Sequence, residues 1–194
     1  GAISAWAWGL SRALDYLETE PRVDARRVAL TGHSRLGKTV LWAAAGDERF
    51  ALVIANQSGC GGASLNRRRF GETLHILSNV RRTWFCEACR TGPEDPDAVP
   101  VDQHELIALL APRPVMVTSA VEDSGADPKG EFLAIHHAGP VYRLFGLDGM
   151  PQPMPQPDEP VIRDACGYFI RPGPHDITPH DWEAHLAFAD HHLR

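Results

Sequence analysis

The sequence predicts an α/β fold, a mostly parallel sheet with helices on both faces. Three observations lead there. Short β-branched and aliphatic runs of strand length alternate with amphipathic segments of helix length. The first of those runs, Val28-Ala29-Leu30, empties directly into a Gly-x-Ser turn followed by a helix-forming stretch. Finally, 194 residues with 43% hydrophobic and 23% charged side chains are enough for one domain with a sizeable core.

The elements follow in order. Ser4–Glu18 repeats Trp6, Leu10, Leu14 and Leu17 at three- and four-residue spacing, which gives one apolar helical face. Pro21 and Asp24 punctuate its end, and Arg27–Thr31 is the first strand. Gly37–Ala45 is the next helix, stopped near Gly46, and Leu52–Asn56 is a second buried strand. That strand runs into Gln57-Ser58-Gly59-Cys60-Gly61-Gly62, after which the pattern is irregular to about residue 100. Asp102–Leu110 is a helix with Asp102 as its N-cap. Pro112-Arg113-Pro114 breaks it, and Val115–Ser119 is a third strand. Glu131–Ala138 is a helix, residues 148–160 with five prolines form an exposed loop, and Asp181–Leu193 is a closing helix.

Composition narrows the function classes. The net charge is −6 and the longest run of like charge is Arg67-Arg68-Arg69, which argues against nucleic acid as the main partner. No apolar run approaches the ~20 residues of a membrane-spanning helix. A monomer is expected. Cys86-Glu87-Ala88-Cys89 has the spacing of a redox pair or of half a zinc site, but no second pair or His-x3–5-His motif accompanies it. Buried thiols or structural disulfides are therefore expected of the four cysteines, with no metal and no cofactor.

The chemistry lies in Thr31-Gly32-His33-Ser34-Arg35-Leu36-Gly37-Lys38. A strand, then Gly-x-Ser, then a helix is a nucleophile elbow, in which a tight turn lifts the serine Oγ above the sheet. The usual second glycine lies two residues after the serine, whereas here it comes one residue later, at Gly37. Such elbows belong to α/β-hydrolases, whose triad runs Ser, acid, His along the chain. Several strands precede the elbow in that fold, so this chain reads as the C-terminal half of a larger domain. The acid should follow a later strand, and Asp123 is placed there, with Glu122 and Asp127 as alternatives in the same loop. His175, just before the last helix, is placed as the general base. Ser34 would attack an acyl carbon, His175 would take and return the proton, and Asp123 would stabilise the imidazolium. With an ordinary histidine, rate would fall as pH drops through about 6.5.

Several segments resemble the glucuronoyl esterases of carbohydrate esterase family 15, the bacterial members most closely. They are Gly32-His33-Ser34-Arg35-Leu36-Gly37-Lys38, Ser58-Gly59-Cys60-Gly61-Gly62-Ala63, Phe70-Gly71-Glu72-Thr73 and Trp84-Phe85-Cys86. Asp102-Gln103-His104, Ala111-Pro112-Arg113-Pro114, Asp127-Pro128 and His175-Asp176 complete the set. The resemblance implies a secreted or periplasmic, metal-independent serine esterase. Its substrate would be the ester between 4-O-methyl-glucuronate on xylan and lignin alcohols. It also implies that the Arg35 N–H and guanidinium stabilise the oxyanion, and that Lys38 and Glu72 bind uronate hydroxyls. Many members carry the triad glutamate where this chain has Gln57, so the acid falls to Asp123. A tryptophan near the sugar is replaced by Gly125, and two cysteines that fungal members join are replaced by His33 and Asp176. Two other readings stand beside this one: a related hydrolase of acetyl xylan or small esters, and an inactive carbohydrate-binding fragment.

Overall fold

The computed structural model describes residues 1–194. A five-stranded sheet organises it, built from β1 (Ala29–His33), β2 (Leu52–Asn56), β3 (Val115–Ala120), β4 (Val161–Arg163) and β5 (Cys166–Arg171). Spatial order is β1-β2-β3-β5-β4. The first four in that order are mutually parallel, and β4 closes one edge antiparallel to β5. Every residue of β2, β3 and β5 is buried, as expected of strands covered on both faces.

Helices cover the two faces unequally. Helices α1 (Ala2–Leu17), α2 (Arg35–Gly46), α5 (Gln103–Ala108) and α6 (Pro128–Leu144) share one continuous core. Leu14, Leu41, Ile107 and Phe132 meet Val53, Val117 and Tyr168 there. On the opposite face α7 (Pro179–Leu193) lays Phe188 against Leu52, Ile54, Met116 and Phe169. Pro112-Arg113-Pro114 does more than stop a helix. The Arg113 guanidinium donates to the carbonyls of Ala44, Asp47 and Phe50, tying the end of α2 to the start of β3.

Several sequence expectations need correction. The irregular stretch before residue 100 contains two short helices, α3 (Leu74–Val80) and α4 (Glu87–Thr91), too brief to show periodicity. Strands β4 and β5 had no counterpart among the expected elements. In β5 the pattern is masked by Gly167, whose missing side chain leaves room for Phe188: a Cβ there would lie 2.8 Å from the ring. Helix α6 runs through Pro140 instead of ending at Ala138, and its last turn is anchored by Tyr142, whose hydroxyl donates to the Arg113 carbonyl at 3.0 Å. The N-cap Asp102 stands as expected, in a capping box with Glu105, and it also accepts from the N–H groups of Asn66 and Arg67. All four cysteines are free thiols, Cys60 and Cys166 buried, so the disulfide alternative does not hold in this structure.

Candidate active site

Ser34 stands between β1 and α2 at φ 58°, ψ −125°, a backbone conformation that a non-glycine residue reaches only under strain. Its N–H donates to the Asn56 carbonyl at 2.9 Å, fixing the turn to the neighbouring strand. Both glycines are explained by close approach. A Cβ at Gly32 would fall on the Leu36 carbonyl, and one at Gly37 would lie 2.7 Å from the Ser58 Cβ. The late second glycine therefore serves the packing of α2 on the loop after β2. Arg35 is the first residue of α2, with its guanidinium 6.0 Å from the centre of the Trp84 ring.

His175 and Asp123 meet across the C-terminal edge of the sheet. The His175 Nδ1 bonds the Asp123 Oδ2 at 2.6 Å. Asp123 is buried, and its other oxygen accepts from the Ala126 N–H at 3.2 Å. Neither alternative acid makes this contact. Glu122 is exposed, and Asp127 is held by the Arg68 guanidinium at 2.7 and 3.2 Å. The hydrogen bond to Asp123 raises the His175 pKa above its ordinary 6.5, against an opposing effect of burial. An acid limb governed by His175 would therefore lie above the 6.5 expected from the sequence. The Ser34 hydroxyl itself makes no intramolecular hydrogen bond, although the ring of its neighbour His33 lies against that of His175, centroids 4.5 Å apart and tilted by 35°.

Three further residues hold His175 in place, and sequence reasoning had not assigned them this part. Gln57, at φ 47°, accepts from the Asp176 N–H at 3.0 Å and donates to the Asp176 carbonyl at 2.9 Å. The amide thus clamps the backbone beside His175, a task that needs a donor and an acceptor together. Arg171, at the end of β5, donates to the carbonyls of Pro172, Pro174 and Asp176. The same guanidinium pairs at 2.8 Å with the fully buried Asp181 of α7. The only sequence signal for this brace was the placing of Arg171 and Asp176 on either side of the histidine.

Lys38 lies in α2, one turn after Ser34, and Glu72 lies in the loop before α3, close to Gly125 and Asp123. Lys38 is not a solvated helix lysine. Only 3% of it is exposed, its ammonium donates to the Ser58 carbonyl, and burial lowers its pKa. Beneath the same loop, Glu131 is fully buried and accepts from Ser119 Oγ at 2.6 Å, the Gly59 N–H at 2.9 Å and Ser58 Oγ at 3.3 Å. Burial pushes its pKa up to about 7. Glu72 is exposed, and its N–H donates to the Gly125 carbonyl at 2.9 Å, so its loop rests on the loop carrying Asp123. A cavity of about 710 Å³ opens from Lys38 past Gly61, Trp84 and Phe85, and is mostly apolar. Ser34 and His175 are not among the residues that line it. No cluster of three or more His, Cys, Asp or Glu side chains is arranged to hold a metal ion.

Residues 1–146 match the family described as "Glucuronyl esterase, fungi", a span that includes Ser34, Lys38, Glu72 and Asp123 and stops short of His175. The chain belongs to the glucuronoyl esterase family. A carbohydrate esterase from an unknown prokaryotic organism is 52% identical over the whole chain, which spans 45% of that relative. A 4-O-methyl-glucuronoyl methylesterase of Wolfiporia cocos is 32% identical over 155 residues, covering 75% of this chain and 38% of the relative. Among solved structures, a promiscuous family 15 carbohydrate esterase from a marine bacterial metagenome superposes with a TM-score of 0.96 at 52% identity, covering 100% of this chain and 49% of that one. A glucuronoyl esterase from Solibacter usitatus gives 0.92 at 47% identity, with 100% and 50% covered. The chain thus spans about half the length of the relatives it matches, and its α/β-hydrolase architecture is that of glucuronoyl esterases.

Proposed function

We propose that the protein is a serine esterase that hydrolyses the ester between 4-O-methyl-glucuronate of glucuronoxylan and lignin alcohols. The observation that carries this reading is the His175–Asp123 bond on the sheet edge where a strained Ser34 begins a helix. His175 Nε2 takes the Ser34 proton as Oγ attacks the uronate carbonyl carbon. The charge that develops on the carbonyl oxygen meets the Arg35 N–H and guanidinium. The tetrahedral intermediate collapses, the leaving alcohol takes the proton from His175, and the uronate remains as an acyl ester on Ser34. Water, deprotonated by His175, then attacks the acyl carbon, and Ser34 recovers its proton as the acid departs. Asp123 holds the His175 tautomer and stabilises its charged form throughout.

Lys38 and Glu72 would take the uronate hydroxyls. Lys38 suits this task because a mostly desolvated ammonium with one donor committed to Ser58 retains two donors for a ligand. A polymeric substrate of this kind places the enzyme outside the cytoplasm, secreted or periplasmic. These side chains and water supply every proton transfer of the two half-reactions.

Gly125 favours a second reading, a broader small-ester hydrolase. With no side chain there to pack against a sugar ring, the approach to Glu72 and Asp123 stays open, and one relative is itself described as promiscuous. Substituting Lys38→Ala and Glu72→Gln separates the two. The uronate reading predicts that each variant loses kcat/KM on benzyl glucuronate while keeping it on p-nitrophenyl acetate. Equal losses on both esters, or none on either, would favour the broader hydrolase.

A further inference from the structure

Cys86 and Cys89 play no part in the chemistry above, and their arrangement is not that of two unrelated thiols. Cys86 is exposed at the start of α4, and Cys89, one turn on, is half-buried. Their sulfurs lie 3.6 Å apart, so a bond between them needs only side-chain rotation. The segment is held at both ends: the Arg90 guanidinium donates to the Arg82 carbonyl at 3.0 Å and to the Phe85 carbonyl at 3.5 Å. Both cysteines line the cavity beside the candidate active site, next to Trp84 and Phe85. Phe85 packs over Gly61, where a Cβ would come 3.0 Å from the ring, and Trp84 lies near the Arg35 guanidinium.

From this geometry we infer that Cys86 and Cys89 form a redox-active dithiol, which closes reversibly into a disulfide in the cavity wall, with Cys86 as the attacking and Cys89 as the resolving thiol. The Cys86 thiolate attacks a small disulfide of the glutathione class, forming a mixed disulfide and releasing one thiolate. Cys89 gives its proton to solvent, attacks the Cys86 sulfur and releases the second thiolate. Two electrons pass from the pair to the small disulfide, and two protons leave the pair. Exposure gives Cys86 the first step and burial keeps Cys89 for the second. Their thiols are also unequal in the right sense, Cys86 lowered by the Cys89 N–H and Cys89 raised by burial. Cys60 and Cys166, both pushed up to about 12 by burial, serve as unreactive controls.

The test is mass spectrometry of the purified protein after oxidised glutathione, quenched by alkylation. Trypsin releases Thr83–Arg90 with both cysteines on one peptide. The expected result is that peptide two hydrogens lighter, unalkylated, and restored by dithiothreitol, while Cys60 and Cys166 stay reduced. Cys89→Ser should trap a glutathione adduct on Cys86, and Cys86→Ser should trap little on Cys89. Recovery of Thr83–Arg90 carrying two alkyl groups would overturn the proposal, as would an adduct that accumulates on Cys89 and not on Cys86.

Discussion

The burial of Glu131 makes a quantitative prediction for the fold. An ordinary glutamate loses its proton near 4.5, whereas Glu131 holds it to about 7 because no solvent reaches its carboxyl. Between these values the unfolded chain has released the proton and the folded chain has not, so stability falls as pH rises. At 1.36 kcal/mol per pH unit, the loss from pH 4.5 to 7 is about 3 kcal/mol. Glu131→Gln removes the titration and keeps the network. Its carbonyl can accept from the Gly59 N–H, and its amide can donate to the Ser119 Oγ, which changes from donor to acceptor by rotation of its hydroxyl. Urea unfolding of both proteins from pH 5 to 8 supplies the measurement. The difference between them removes the titrating groups that Glu131 does not influence, while His175 and Lys38, which feel its charge, contribute a smaller remainder. The variant should gain on the wild type by about 1 kcal/mol per pH unit through the window and level off above it. Parallel curves across the window would refute the assignment of that proton to Glu131.

Other expectations rest on the site. Asp123→Asn should lower kcat by a large factor, of the order of the 10⁴ seen for the corresponding change in a serine protease, while Glu122→Gln leaves it unchanged; steady-state kinetics on one ester decides. Because Asp123 raises the His175 pKa, kcat/KM should fall as pH drops through a value above 6.5, and Asp123→Asn should move that limb down; a limb at or below 6.5 in the wild type would contradict the pairing. Gly37→Ala forces a Cβ to 2.7 Å from Ser58, which should cost about 1–3 kcal/mol of stability by overpacking and be read as a lower urea midpoint.

Much of the fold was legible because its strands are long in aliphatic residues and end on recognisable turns. Leu52–Asn56 matched to the residue, and Val115–Ser119 fell short by one. Cys166–Arg171 was missed because a glycine in the strand, placed there for Phe188, interrupts the apolar run. The elbow was readable since strain and close packing leave their mark as glycines at fixed offsets. The strand ending at Ala120 led to Asp123, whereas the bond that occupies Asp127 comes from Arg68, 59 residues away in sequence. Gln57 shows the limit most plainly. Its two bonds to Asp176 span 119 residues, and nothing local in the sequence pairs them.

The role of Ser34 as nucleophile is decided by hydrolysis of benzyl glucuronate by the wild type and by Ser34→Ala, measured side by side. The wild type should release the uronate, and Ser34→Ala should abolish that release with the fold intact by circular dichroism. Release that persists in Ser34→Ala would contradict that role, because the acyl ester would then have to form elsewhere.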